Sequence, residues 1–503
     1  MLKERLREYI DANVPILYIN SYDDNEIEEN ILDVTGKRMV WEWNQMYGQV
    51  KRKEISGAGV EKVNEAIDQE CSLEAFLIRG VRDREFHRKV IILKDIAAYL
   101  KNPEIIALLK NTCLRIESGE LDTVLIFLSS VLEIPAELEK YITVLYEDYL
   151  GEEEIRNKIL DFINENAVGG VYDKVIDQMA TAFKGLSVLE INTILALAYS
   201  KTGELSENIM DLVIEQKKQM IQKAGILEMV PVRESMTDIG GLNHLKQWIQ
   251  TKAKIIQNMK QAKAFGVEVP KGVLIAGVPG CGKSLNAKAS AKLMGVPLLK
   301  LDMGRLMGKY VGESEKNMRR AIRLAEAIAP CVLWIDELEK AFAGIGGNGG
   351  GAEVTTRLFG QFLTWMQEKE SAVFVVATAN DVMKLPPELM RKGRFDEIFY
   401  VQLPKKEERL RIFEIHIQKR RAMDLKKIDI GRLAEMTEGY SGADIEGVVK
   451  EAIENAFVQG KESLSTEDFA KAIRSTHPLK EIMGDSITKL EKEYKERKFK
   501  SAS

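Results

Sequence analysis

Cysteine and histidine are scarce, with four of each in 503 residues. Cys71, Cys113, Cys281 and Cys331 lie far apart and form no C-x-x-C pair, so neither a disulfide framework nor a zinc site is expected. None of the histidines opens an H-E-x-x-H motif, which argues against a built-in zinc protease. No apolar run is long enough to span a bilayer. The first ten residues are charged and lack the apolar core of a secretory signal. Neither sign of charge dominates: the formal net charge is −5, with 30% charged residues. That gives no global reason to expect nucleic-acid binding, although a local basic stripe would not alter the total. The expectation is a soluble chain in a reducing compartment. A chain of this length is too long for a single core, so two to four domains are expected.

What is present centres on Gly277-Val278-Pro279-Gly280-Cys281-Gly282-Lys283-Ser284, which fits G-x-x-x-x-G-K-[ST]. The apolar run 272–276 before it reads as a buried strand, and the Ala- and Lys-rich stretch from Leu285 to Met294 reads as a helix. Phosphate chemistry needs that order. Glycines let backbone N–H groups face the phosphates, and the helix N-terminus adds its positive end. Pro279, Gly280, Cys281, Gly282, Lys283, Ser284 and Leu285 are the expected cradle for ATP. Lys283 should reach the β- and γ-phosphates, and Ser284 should ligate Mg²⁺.

Two further apolar runs end in polar residues. Residues 331–335 end at Asp336-Glu337, where Asp336 would hold Mg²⁺ and Glu337 would activate the attacking water. Residues 373–379 end at Asn380, which can meet the γ-phosphate or the lytic water; from the residues alone it also reads as a cap on the next turn. Arg391 and Arg394 follow beside a glycine. They read either as a solvated basic turn or as arginines that stabilise phosphate transfer in a neighbouring subunit.

Residues 236–477 resemble the AAA module of AAA+ ATPases, in the clade that includes the ATPase parts of membrane proteases and protein unfoldases. The resemblance rests on Asp238-Ile239-Gly240-Gly241-Leu242, the phosphate loop, Asp336-Glu337, Asn380, the Arg391 and Arg394 pair, His416, and Gly439-Tyr440-Ser441-Gly442-Ala443-Asp444. It implies an α/β fold: a P-loop AAA+ module whose parallel sheet is flanked by helices, plus a helical lid. It implies that Ile239 and Gly240 lie near the adenine and His416 contacts the base. Gly442 and Ala443 stand where other AAA+ proteins carry a sensor arginine. Tyr310, Val311 and Gly312 match the first pore loop, which grips an extended peptide in ring translocases. From the residues alone, Tyr310 also reads as a packing tyrosine. The glycine-rich stretch 344–351 falls at a second pore loop or is a flexible connector. The resemblance further implies ATP hydrolysis at the subunit interfaces of a homo-oligomer, usually a hexamer, with arginines supplied in trans.

The first 200 residues repeat this pattern without its chemistry. The run ending at Asp95 parallels that ending at Asp336, and the run before Ser129-Ser130 parallels that before Asn380. The blocks at Ile134 and Gly185 parallel those at Leu385 and Gly439. A generic α/β domain could share strand patterns, but not those two blocks. No glycine or lysine fills the turn at Ser21 to Glu26, and no arginine pair follows Glu139. This half is therefore expected to bind no ATP.

The expected divisions are a degenerate AAA-like α/β module at 1–200, a charged linker at 201–235, a large subdomain at 236–404, a lid at 405–478 and a frayed tail at 479–503. A degenerate module before an intact one is similar to AAA-type ATPases encoded in some algal chloroplast genomes, in cyanobacteria and in other bacteria. That implies the cytoplasm, or a plastid stroma if the chain is organelle-encoded. The expected function is Mg-ATP-driven remodelling or translocation of a protein client, without membrane partners and without nucleic acid. The alternative is an ATP-dependent assembly switch that recruits a partner through the first half.

Overall fold

The computed structural model describes residues 2–21, 24–56, 59–146, 150–205, 209–306, 313–342, 351–391 and 393–503. The chain divides into two compact units, Met1–Ile209 and Met210–Ser503. Each is built on a seven-stranded sheet.

In the first unit the strands are β1 (Ile16–Asn20), β2 (Met39–Asn44), β3 (Gly48–Ser56), β4 (Gly59–Asp68), β5 (Lys89–Lys94), β6 (Thr123–Ser129) and β7 (Ile142–Tyr146). Their order is β4-β3-β2-β5-β6-β1-β7. The second unit holds β8 (Leu227–Val230), β9 (Gly272–Gly277), β10 (Leu298–Leu301), β11 (Cys331–Ile335), β12 (Val373–Ala379), β13 (Glu397–Val401) and β14 (Lys500–Ser501). Their order is β14-β13-β9-β12-β11-β10-β8. Read from opposite edges, the two sheets share a five-strand parallel core: β2-β5-β6-β1-β7 matches β10-β11-β12-β9-β13. Helices cover both faces, so the central strands are mostly apolar rather than alternating, and every residue of β6 and β12 is buried.

The repeat extends to backbone detail. Asp95 after β5 and Glu337 after β11 both have φ +51°, the left-handed region that costs a non-glycine residue. Gly185 and Gly439 have φ +84° and +83°. Each precedes a capping box, Ser187 with Glu190 and Ser441 with Asp444. This backbone match corrects one pairing read from the sequence. Lys94, not Asp95, stands opposite Asp336, because Leu93 pairs with Phe127 as Ile335 pairs with Ala377. The acid at 95 takes the place of Glu337.

Two divisions also differ from expectation. Residues 209–230 are not a linker: the helix Ile209–Ala224 is followed by β8, which runs antiparallel to β10. Ile221 and Leu227 lie in the core of the second unit. The tail is not frayed. The helix Leu479–Glu496 places Tyr494 in that core, and β14 pairs in parallel with β13. The lid comprises Lys406–Arg421, Ile430–Met436, Gly442–Val458 and Thr466–Ser475, around a core that includes Phe413, Leu433, Val448 and Phe469.

Candidate nucleotide site

β9 delivers the chain to residues 278–282, and the helix Lys283–Met294 starts immediately after them. Gly277, at φ +139°, lies so close to β13 that a Cβ would sit 2.0 Å from the Val401 carbonyl. Gly280 at φ +74° and Gly282 at φ +84° complete the turn. A Cβ at Gly280 would press on Ser441 Oγ at 2.9 Å. Side chains are thus kept out of the concavity where backbone amides can meet an anion.

Lys283 is buried and donates to the carbonyls of Gly277 and Val278, each at 2.8 Å. Burial pushes its ammonium down to about 8, partly offset by Cys281 and by the carboxylates Glu339, Asp336 and Glu337. Burial likewise pushes the Cys281 thiol up to about 11.

The ends of β11 and β12 meet this loop. Ser284 donates to Asp336 Oδ1 at 3.1 Å, placing two hard oxygens side by side. Such a pair suits Mg²⁺, which takes few protein ligands and keeps several waters. Thr378 donates to the same Asp336 oxygen at 2.6 Å and accepts the Glu337 amide at 3.0 Å. Asn380 Nδ2 donates to Glu337 Oε1 at 3.3 Å, and Lys340 Nζ lies 2.5 Å from Glu337 Oε2. Both Glu337 oxygens are therefore engaged. Glu339, itself buried, accepts the Asn380 amide at 3.0 Å.

At the other end the cleft is walled by Ile239, Gly240, Leu242, Ile412, Ile415 and His416. A Cβ at Gly240 would sit 2.4 Å from Ile412 Cγ1, so glycine permits that close approach. Burial holds the His416 imidazole below its usual range, the nearby Glu446 carboxylate pulls it up, and Arg420 and Lys419 push it down again. Asp238 is held near 2 although burial opposes this, because Lys419 at 2.7 Å and Ser235 stabilise the carboxylate. The lid closes on the phosphate loop through the Ala443 amide, which donates to Gly280 O at 2.9 Å.

One cleft of about 360 Å³ gathers Ile239, Gly240, Pro279, Gly280, Cys281, Gly282, Lys283, Ser284, Leu285, Asp336, Glu337, Asn380, His416, Gly442 and Ala443. That volume suits a small organic ligand. Arg391 and Arg394 do not line it. Arg391 is exposed, and Arg394 donates to the Glu388 carbonyl. Tyr310, Val311, Gly312 and the stretch 344–350 lie outside the described residues. Sequence reading missed Thr378, Lys340 and Glu408. Thr378 had a signal, a lone hydroxyl in an otherwise apolar strand, whereas Glu408 reaches the cleft only through tertiary packing.

The equivalent position in the first unit holds an ion-pair cluster. Lys94 lies 2.8 Å from Glu28 and 3.3 Å from Glu42, and Arg52 contacts both carboxylates. Both glutamates are buried. Three residues (21–23) separate β1 from the next helix, Asp24–Val34, where five (278–282) form the phosphate loop. A cation stands where Asp336 would accept a metal, and the loop is too short for the cradle.

Comparison with known proteins identifies these parts. The ATPase family associated with various cellular activities (AAA) matches residues 273–403, and the AAA+ lid domain matches 427–471. The N-terminal and second domains of the SpoVK-like AAA ATPases match 2–146 and 153–224. An uncharacterized AAA domain-containing protein, ycf46, from Guillardia theta is 35% identical over 487 residues, 96% of this chain and 92% of that protein. A proteasome-activating nucleotidase from Thermococcus onnurineus is 35% identical over 271 residues, 53% of this chain and 66% of its own. A cell division cycle protein 48 homolog from Archaeoglobus fulgidus is 38% identical over 218 residues, 43% and 29% of the two chains.

Proposed function

The chain belongs to the AAA ATPase family, with a SpoVK-like first half, and on that premise we propose that it hydrolyses ATP in the cleft of its second unit to remodel or translocate a protein client. The observation that carries this reading is the convergence of Lys283, Ser284, Asp336, Glu337 and Asn380 on one cleft.

Lys283 exchanges its two backbone carbonyl partners for phosphate oxygens, which stabilise its charge. Ser284 and Asp336 would hold Mg²⁺, which neutralises charge on the β- and γ-phosphates when bound. Thr378 fixes Asp336 and the Glu337 backbone together. Glu337 takes a proton from water as the water oxygen bonds to the γ-phosphorus and the bond to the ADP oxygen breaks. Asn380 orients that carboxylate. Lys340 is its resting counter-ion and must withdraw for the base to act. Arg391 and Arg394 serve the cleft of a neighbouring copy in a ring, a hexamer in our reading, and Tyr310, Val311 and Gly312 grip the client.

Glu337→Gln tests the central assignment. ATP should still bind while turnover falls by about 10²–10⁴-fold. Normal turnover in that variant would refute the role of the base. Tyr310→Ala separates threading from an assembly switch: a client processed at the normal rate would favour the switch.

A further inference from the structure

We infer that residues 500–503 position the base-binding end of the cleft, a role that rests on reading the cleft as an ATP site. β14 pairs Lys500 with Phe399 and Ser501 with Tyr400. Beyond it the Ala502 amide donates to Tyr400 O at 3.0 Å, and the Ala502 carbonyl accepts the Leu245 amide at 3.1 Å. Leu245 lies in the first turn of the helix Asn243–Gln257, whose N-cap residue, Leu242, supplies no side-chain acceptor. Ala502 thus satisfies one of the amides that a helix start leaves without a partner. Its side chain is fully buried in the cluster that holds Ile239, Leu242 and Leu245.

Ser503 completes the clasp. Its hydroxyl donates to Glu408 Oε1 at 2.7 Å, and that same oxygen accepts the Leu242 amide at 3.1 Å. The other Glu408 oxygen accepts the Lys405 amide at 2.9 Å, at the start of the first lid helix. Gly241, at φ +76°, would place a Cβ 2.1 Å from Glu408 Oε1, so the carboxylate sits directly against the loop. Ile239, Leu242 and Glu408 all line the cleft. The loop 239–242 is therefore held from behind by Ala502, by Glu408 with Ser503, and by Lys246, which donates to Ile239 O at 2.6 Å.

The phosphate end is secured differently. Lys283, Ser284 and Asp336 are fixed by bonds among themselves, Thr378 and the phosphate loop. Loosening residues 500–503 should release the grip on the base and leave the grip on phosphate intact. A triphosphate without a base therefore distinguishes positioning from general damage.

Affinity for ATP and for inorganic tripolyphosphate, each with Mg²⁺, is measured on the full chain, on the chain lacking residues 500–503, and on Ser503→Ala. The truncation should raise the ATP Kd about tenfold, and Ser503→Ala about two- to fivefold, the scale of one partly buried hydrogen bond. Tripolyphosphate should stay within about twofold in both. Equal weakening of both ligands, or unchanged ATP binding, would overturn the inference. Ser503→Ala removes one hydroxyl and keeps the test usable if the truncated chain does not fold. A full chain that binds tripolyphosphate but not ATP would instead refute the ATP reading.

Discussion

Lys283 is the residue whose chemistry depends most on what occupies the cleft. Its ammonium sits at about 8 while it leans on two carbonyls, and phosphate would raise it. The sign follows directly. Below pH 8 the free protein already carries the charge that ATP needs. Above it, binding must take up a proton, so affinity should fall as pH rises from 8 towards 10. Calorimetry in two buffers of different ionisation enthalpy should detect that uptake at pH 9 and little at pH 6.5. Thr378 allows a separate test. Thr378→Val keeps the shape but removes both hydroxyl bonds, to Asp336 and to the Glu337 amide. Turnover should drop by about tenfold, with ATP affinity changed by less than about threefold, as expected when about one hydrogen bond of alignment is lost. Steady-state kinetics with a separate binding measurement would decide it.

Among elements, the ends of strands were the legible part. Apolar runs stopping at Asp336, Asn380 and the glycine-rich loop can be read as buried strands delivering polar groups to one edge. The elements that were not legible owe their places to distant contacts. The helix Ile209–Ala224 looks like a charged linker because Lys217-Lys218 interrupts it, yet Ile209, Val213 and Ile221 are buried. β14 is two residues long and polar, and its pairing with β13, the burial of Ala502 and the bonds of residues 502 and 503 to Leu245 and Glu408 hold it. Asp95 was paired with Asp336 because an acid was matched to an acid, whereas the left-handed backbone at Asp95 and Glu337 sets the true register, with Lys94 opposite Asp336. That register makes Lys94 essential to the first unit. Lys94→Ala would leave the buried Glu28 and Glu42 with Arg52 as their one cation in this cluster. Breaking a buried pair in this way costs about 3–5 kcal/mol. Hydrogen exchange in β1, β5 and β6 should accelerate, while exchange in β9, β11 and β12 stays unchanged.

For the whole molecule, the two units predict one bound ATP per chain, and titration of the Glu337→Gln variant should give a stoichiometry of about one rather than two. Among the described residues, no helix is long and apolar enough to cross a membrane. Arg391 and Arg394 lie outside the cleft of their own chain, so Arg394→Ala should bind ATP normally yet hydrolyse it about 10³-fold more slowly. Mixing it with a chain whose own cleft is disabled should restore part of the activity if the arginine acts between copies. The cluster of Lys94, Arg52, Glu28 and Glu42 has a further consequence. The first unit carries its own counter-charges where the second would take a cation and phosphate, so on the proposed function its folding should not depend on ATP. On that reading the second unit alone should gain stability from ATP, through mass action that grows with the logarithm of concentration. In a cell short of ATP, the second unit should then be the first to soften and be degraded, leaving the first as a folded fragment.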